Sequence, residues 1–128
     1  MKRYIVLATA IAPLCACTDK PENSAQVRAP AVEVLSEPVG CILTSRIRNT
    51  VVHDDFTIDF LMLGGEVFRN TLPNRCPQLG FEESFAYETS TGSLCSIDMI
   101  SVLHSGVGPG PRCALGPFVP VRYAEASD

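Results

Sequence analysis

Several residue types that commonly build active sites and ligand sites are scarce in this sequence. The 128 residues contain no tryptophan, and their only histidines are His53 and His104. The formal charge is −4, and the few arginines are scattered rather than clustered as nucleic-acid binding requires. No apolar run approaches the ~20 residues that span a bilayer as a helix. The sequence therefore disfavours a nucleic-acid-binding or membrane-spanning protein, and it offers few groups for acid–base catalysis.

The start of the chain has the pattern of an export signal. Two basic residues at positions 2 and 3 precede the apolar run Ile5–Ile11, which is at the short end for a secretory signal. The following Leu-Cys-Ala-Cys resembles a bacterial lipobox, in which a cysteine receives a diacylglycerol through a thioether and becomes the new N-terminus. Cys17 is the expected acceptor, since Cys15 would follow the bulky Leu14. The prediction is a lipoprotein signal over 1–16, with an ordinary secretory signal as the alternative.

A lipid on Cys17 would decide where the protein resides. Two or more acyl chains hold a protein stably on a membrane, whereas one chain does so only marginally. The residue after the cysteine is Thr18 rather than the aspartate that tends to retain lipoproteins in the inner membrane of enteric bacteria. The resemblance therefore implies the cell envelope, on the periplasmic leaflet of the outer membrane.

The remaining chain is long enough for one small domain. Residues 17–38 carry three prolines and no aromatic residue, so they are expected to form the lipidated N-terminus and a flexible linker. The short apolar patch Ala-Val-Glu-Val-Leu within them could instead be a strand or a partner-binding segment. Residues 39–123 are expected to fold, and 124–128 to form a disordered tail.

The folded part has the pattern of an all-β domain with about six short strands. Apolar residues alternate in several runs that turn residues separate, and no amphipathic helix is evident. A two-residue loop at Gly64-Gly65 would place Phe60 opposite Arg69 and Met62 opposite Val67. That register leaves both strand faces partly apolar, which a closed barrel or a bulge would explain. The expected class is a small β-barrel or β-sandwich. The six segments are 41–52, 56–63, 66–72, 84–89, 94–103 and 113–121.

Four cysteines remain after the signal and Cys17 are set aside. An even number of thiols in a small exported domain predicts disulfides, here two, each stabilising by about 2–4 kcal/mol. Three pairings are compatible with the sequence. The alternative is a four-thiolate zinc site, but gaps of 35, 19 and 18 residues lack the CxxC spacing of zinc knuckles. The four are Cys41, Cys76, Cys95 and Cys113.

Arg46 and Arg48 are the most suggestive polar pair. Their alternation with Ile47 places both on one face of a predicted strand, where they could bind an acidic ligand or a glycan phosphate. The ordinary interpretation is that they balance nearby aspartates such as Asp54, Asp55 and Asp59.

Other polar groups give weaker signals. His53 with its two neighbouring aspartates could contribute metal ligands, but adjacent turn residues diverge, and a solvated turn is the simpler interpretation. Asp98, His104 and Ser105 contain the residue types of a hydrolase triad, without a nucleophile elbow. The glutamates at 82, 83 and 88 are ordinary strand-end charges. Pro109 and Pro111 remove N–H donors from the glycine-rich loop, so it is not a phosphate cradle. No cofactor or metal is predicted.

Three stretches, RNTLPNRCPQL, FAYETSTGSLC and CALGPFVPV, resemble a family of short exported bacterial proteins known only as a domain of unknown function. The likeness covers about residues 40–121 and includes the four cysteines. It implies a small exported domain, often with a lipoprotein signal, and supplies no activity to carry over. Because the chain is small, held by disulfides, tethered and poor in catalytic groups, the predicted function is a non-enzymatic binding or structural protein of the envelope, with an envelope protein or glycan as partner. The alternatives are an inhibitor of a periplasmic or host hydrolase, such as lysozyme, and a small hydrolase using Asp98 and His104.

Overall fold

A computed structural model describes residues 10, 12–13, 28–106 and 108–125. Within these residues the chain forms ten strands, a 3-10 turn at Thr44–Arg46 and one short helix, α1, at Leu79–Glu82, so the all-β prediction is confirmed. The predicted lipid site, Cys17, lies outside the described residues. The strands are β1 Val32–Val34, β2 Cys41–Leu43, β3 Ile47–Val52, β4 Thr57–Met62, β5 Val67–Thr71, β6 Phe85–Tyr87, β7 Ser93–Cys95, β8 Met99–Val102, β9 Arg112–Ala114 and β10 Phe118–Tyr123.

The strands of the described residues pair antiparallel in three sheets. A five-stranded sheet has the order β1-β10-β5-β4-β3, a second sheet pairs β2 with β7, and a third has the order β6-β8-β9. Both edges of the large sheet are open, since β1 and β3 each have one neighbour. Of the two predicted architectures, the sandwich is therefore the one that forms.

The core lies between the large sheet and the two small sheets. Ile58 and Phe60 of β4 are fully buried and cluster with Leu94 of β7 and Ile100 of β8. Phe60 also meets Phe118 of β10 edge-on, with ring centroids 5.4 Å apart. These side chains recur at every second position, so one face of the large sheet is the inner, apolar face.

One polar side chain on the inner face joins the large sheet to the β9–β10 connection. The amide nitrogen of Asn70 donates to the Gly116 carbonyl at 2.6 Å, and its oxygen accepts from the Gly116 N–H at 2.8 Å. A Cβ at position 116 would lie 2.3 Å from the Thr71 carbonyl oxygen. Only glycine permits this close backbone approach.

The predicted β4–β5 register is wrong by one residue. Phe60 pairs with Phe68, and Asp59 pairs with Arg69. The loop contains three residues rather than two, because the Met62 N–H donates to the Glu66 carbonyl at 2.8 Å across Leu63, Gly64 and Gly65. Both glycines have φ near +95°, at +99° and +93°, a conformation that glycine adopts freely. The corrected register places phenylalanines on the inner face and the charged pair on the outer face.

Two other expectations need correction. The six predicted segments yield more strands because a 3-10 turn at 44–46, a tight turn at 96–98 and an irregular connection at 115–117 divide three of them. The linker interpretation is wrong for Val32–Val34, which forms β1 and pairs with β10 from Val32–Tyr123 to Val34–Val121. The ordered domain therefore begins before residue 39. Among the described residues no helix is long and apolar enough to cross a membrane.

Candidate binding surfaces

A tight turn at residues 95–98 joins β7 to β8 and is named the Ile97 turn. The Asp98 N–H donates to the Cys95 carbonyl at 2.9 Å, and Asp98 Oδ2 accepts from the Cys95 N–H at 2.7 Å. The Ser96 N–H donates to the Gly40 carbonyl at 2.7 Å. A disulfide from Cys95 to Cys41 fixes the same turn to β2. These attachments together hold a backbone of only four residues.

The side chain at the tip of this turn is unusual for its position. Ile97 is 90 % exposed. Turn tips favour glycine, asparagine, aspartate and serine, each for a conformational or hydrogen-bonding reason that isoleucine does not satisfy. Burying an isoleucine side chain is worth about 1.5–3 kcal/mol, which this position forgoes. The local structure gives no reason for an isoleucine at this position.

A groove of about 550 Å³ lies beside the Ile97 turn and is named the polar groove. Its floor is the outer face of the three-stranded sheet, where Ala86, Ser101 and Arg112 stand opposite one another. Ala86 and Ser101 have small side chains, which make this face of the sheet concave. Glu88 and Asp98 also line it, so carboxylates and a guanidinium lie within one concavity.

A second groove, of about 770 Å³, is named the apolar groove. Val67 and Phe68 of β5 and Pro120 of β10 line it, together with Leu35 and Val39 from the segment between β1 and β2. Leu35 and Val39 are exposed. Phe68 also packs against the core, so the groove continues the inner apolar face beyond the region that the small sheets cover.

A cluster of four side chains, named the Asp59 cluster, lies on the outer face of the large sheet. Asp59 is fully buried and accepts hydrogen bonds from Arg69 Nε and Nη2 at 2.8 and 3.0 Å. Its Oδ2 also accepts from the Tyr123 hydroxyl at 2.8 Å and lies 2.7 Å from His53 Nε2. The two carboxylate oxygens therefore have four polar contacts.

Electrostatics favour the ionised form of Asp59. Burial alone would raise the pKa of this carboxyl, but hydrogen bonds from Arg69, Tyr123 and His53, with the charge of Arg69, bring it below 3.8. Bonding to Asp59 raises the pKa of Arg69. Burial, then the bond to Asp59, raises the pKa of the Tyr123 hydroxyl to about 12. These shifts keep Asp59 ionised and Tyr123 protonated near neutral pH, so the hydrogen bond between them is maintained there.

The Asp59 cluster also holds the N-terminal segment. Arg69 Nη1 donates to the Pro30 carbonyl at 2.8 Å, and the Arg28 N–H donates to Asp54 Oδ2 at 3.0 Å. The Ala124 N–H donates to the Ala31 carbonyl at 3.0 Å. Residues 28–35 are therefore part of the fold, attached by β1 and by these bonds.

Arg46 and Arg48 do not share a strand face as predicted. Arg46 belongs to the 3-10 turn, and its Nη2 donates to the Leu63 carbonyl at 2.9 Å, bracing the β4–β5 loop. Arg48 is the extra residue of a β-bulge between Ile47 and Asn49, and it is exposed. The bulge changes the alternation on which the prediction relied. Ligand binding by either arginine stays a prediction.

The turn at 53–55 is not the solvated turn that its sequence indicated. Asp54 is buried and caps the turn by accepting the Phe56 N–H at 2.8 Å. Asp55 accepts from Arg75 Nε and from the Gly80 N–H, both at 2.8 Å. His53 points instead to Asp59. The three side chains diverge as expected, but each has a structural partner.

The structure separates the proposed hydrolase residues. Asp98 precedes β8 and His104 follows it, and at about 3.3 Å per residue six steps of extended chain separate them by roughly 20 Å. Asp98 closes the Ile97 turn, while His104 Nδ1 accepts from the Gly106 N–H at 2.9 Å. Among the described residues, no group of three or more histidine, cysteine, aspartate or glutamate side chains is arranged to hold a metal ion.

The four predicted structural cysteines form two disulfides, as expected. Cys41 pairs with Cys95, and Cys76 pairs with Cys113. The first joins the two strands of the small β2–β7 sheet. The second joins the segment before α1 to β9, so neither pair leaves thiolates for the four-cysteine zinc site considered as the alternative.

Two features of the surface were missed by sequence reasoning. A single aspartate within the apolar run FTIDFLML and a single arginine in the facing strand were signals for the Asp59–Arg69 pair. A single isoleucine between Ser96 and Asp98 was a signal for the Ile97 turn.

Comparisons with family models, with curated proteins and with solved structures found no match to this chain.

Proposed function

We propose that this protein is a lipid-anchored envelope protein that acts by binding a protein partner through the Ile97 turn, without catalysis. The observation that carries the proposal is the 90 % exposed isoleucine on a turn held by a disulfide and three hydrogen bonds. A turn whose backbone is already fixed loses little backbone entropy on binding, so more of the burial energy of Ile97 becomes affinity. The fitting partner has an apolar pocket for Ile97.

Charge around the turn defines the partner further. Asp98 and Glu88 lie in the adjoining polar groove with Arg112. The whole chain carries a formal charge of −4, and −6 without the two basic residues of the predicted signal. Complementary charge raises association rates and suppresses wrong partners. A basic protein surface around the pocket is therefore the expected counterpart.

The proposed address rests on the lipobox resemblance at Cys17 and on the cysteine content. Disulfides persist in oxidising compartments such as the bacterial periplasm, which agrees with export. Ten residues lie between Cys17 and Arg28, whose N–H is bonded to Asp54. A linker of this length, if it is flexible as its composition predicts, would hold the domain about 18 Å from the lipid. The protein would then work close to the membrane, on the periplasmic leaflet of the outer membrane.

A second candidate function is inhibition of an envelope or host hydrolase. The same turn favours it, because a rigid convex loop with an apolar tip fits an enzyme cleft. Lysozyme is basic, so the acidic charge of the domain suits it. Hydrolase activity that falls on titration with the wild-type protein, but not on titration with Ile97→Asp, would distinguish inhibition from plain binding.

The binding proposal is tested by crosslinking envelope membranes and purifying the full-length protein with its partners. Ile97→Asp should lose a partner that the wild-type protein retains. Phe81→Asp is the matched control, since Phe81 is 85 % exposed on α1 and does not line the polar groove. Equal recovery of every partner by both variants and the wild type would refute the role of the turn.

The address has a separate test. Cys17→Ser should abolish incorporation of radiolabelled fatty acid and move the protein out of the membrane fraction. Cys15→Ser is the control and should leave labelling intact. Labelling that survives Cys17→Ser, or that requires Cys15, would contradict the assignment.

A further inference from the structure

The strands in the floor of the apolar groove have neighbours on both sides, so their backbone is already hydrogen-bonded. Its floor belongs to β5, which lies between β10 and β4, and to β10, which lies between β1 and β5. The Pro120 carbonyl accepts the Leu35 N–H at 2.9 Å, and Val39 exchanges both backbone hydrogen bonds with Phe118 at 2.8 and 3.0 Å. A peptide strand laid in this groove would lose hydrogen bonds to water without replacing them. A hydrocarbon chain makes no hydrogen bonds to water, so it loses none on entering the groove.

The rim of the groove carries charges of both signs. Arg122 lines it, and Arg122 Nη2 contacts Glu33 Oε2 at 2.7 Å, although both side chains are more than half exposed. An exposed pair of this kind contributes about 0–1 kcal/mol, so a phosphate could replace the glutamate at small cost. Glu66 also lines the groove and is exposed. The rim therefore presents a guanidinium for phosphate and carboxylates for an ammonium group.

We propose that the apolar groove binds a single-chain phospholipid with a zwitterionic head group. The acyl chain lies over Phe68 and Pro120, between Leu35 and Val39. The phosphate meets Arg122, and the ammonium group meets Glu66 and Glu33. The volume of about 770 Å³ is in the range of ligand pockets, about 300–1,000 Å³. A fatty acid fits less well, because its single negative charge would meet two carboxylates and one guanidinium.

The absence of tryptophan from the chain allows a clean optical test. Val39→Trp places the only tryptophan at the groove, and Leu43→Trp places it on β2, where Leu43 is exposed and does not line the groove. Full-length protein is titrated with lysophosphatidylethanolamine brominated on its acyl chain, below the concentration at which the lipid forms micelles. Saturable quenching is expected for Val39→Trp and little quenching for Leu43→Trp.

Two further variants test the two ends of the ligand. Leu35→Asp should weaken binding about tenfold or more, because it places a charge beside the acyl chain. Arg122→Gln should weaken binding of the zwitterionic lipid and reduce the preference over a fatty acid of the same chain length. Native mass spectrometry of the wild-type protein should show one bound lipid, and Leu35→Asp should lose it.

Equal quenching of both tryptophans, or quenching that never saturates, would overturn the proposal. Tighter binding of the fatty acid than of the zwitterionic lipid would overturn the head-group assignment. Competition by an uncharged apolar peptide at equal concentration would overturn the assignment of the groove to an acyl chain. Circular dichroism confirms that each variant is folded. If Val39→Trp does not fold, absence of the one-to-one adduct with the wild-type protein refutes the proposal directly. Neither measurement depends on the Ile97 turn.

Discussion

Replacing Asp59 with asparagine removes a negative charge from the outer face of the large sheet while nearly preserving side-chain shape. Arg69, His53 and Tyr123 would then surround a neutral amide in place of a carboxylate. The amide has one oxygen to accept hydrogen bonds, whereas the carboxylate has two, and its NH₂ group faces other donors. The Arg69 guanidinium would be left partly buried without its counter-ion.

The structure sets the size of the effect. The side chain of Arg69 is 13 % exposed, and that of Asp59 is 0 % exposed, so this is a buried pair. Removing one partner of such a pair costs about 3–5 kcal/mol. The side chains of Asp55 and Arg75 are 19 % and 63 % exposed, and an exposed pair of this kind is worth about 0–1 kcal/mol. Asp59→Asn should therefore destabilise several times more than Arg75→Gln.

Urea unfolding at pH 7, followed by circular dichroism, measures both variants. The midpoint should fall for Asp59→Asn with an unchanged slope, since the surface exposed on unfolding is the same. In a thermal scan, a loss of 3 kcal/mol corresponds to a fall of roughly 12–24 °C for a domain of about this size. A cost for Asp59→Asn no larger than that of Arg75→Gln would refute the view that this cluster stabilises the fold.

Three other expectations concern stability. Because the pKa of folded Asp59 lies below 3.8, the contribution of this carboxylate to the free energy of unfolding should be complete above that pH and lost as the pH falls through the folded pKa. In Asp59→Asn, the free energy of unfolding should therefore fall less steeply as the pH is lowered in the acid range. Alkylation without reduction should leave the four bridged cysteines unmodified. Replacing either pair with serines should lower the free energy of unfolding by up to about 4 kcal/mol, because the bridges close loops with separations of 54 and 37 residues. Asn70→Ala should cost about 1–3 kcal/mol by leaving the Gly116 N–H and carbonyl unsatisfied, as urea unfolding measures, whereas the exposed Asn49→Ala should cost far less.

Local patterns in the sequence predicted the strands, because alternation and turn residues act over a few positions. All six predicted segments contain strands, and the even cysteine count predicted two disulfides. The same patterns did not divide the segments, because the dividing turns contain ordinary residues such as Thr44–Arg46. The β4–β5 register was off by one because a two-residue and a three-residue loop both suit Gly64-Gly65.

Long-range pairing was beyond local reasoning. The strand β1 looked like linker because it has three residues and packs only through β10, which lies near the other end of the chain. The choice among three disulfide pairings depends on which strands meet, and spacing does not determine that. The sequence offered Asp59 only as a charge that Arg46 and Arg48 could balance, because its actual partners come from β5, β10 and the residue after β3. The isoleucine between Ser96 and Asp98 was a local signal for the Ile97 turn, but its exposure depends on how the turn packs and is seen only in the structure.

A photoreactive amino acid placed at position 97 tests the central claim most directly. Full-length protein carrying it is illuminated in intact envelopes, beside protein carrying it at position 81. The account predicts a discrete protein adduct from position 97, absent from position 81, that excess wild-type protein competes away and excess Ile97→Asp protein does not. The same adducts from both positions, or competition by both proteins alike, would contradict the claim that the Ile97 turn is the binding surface.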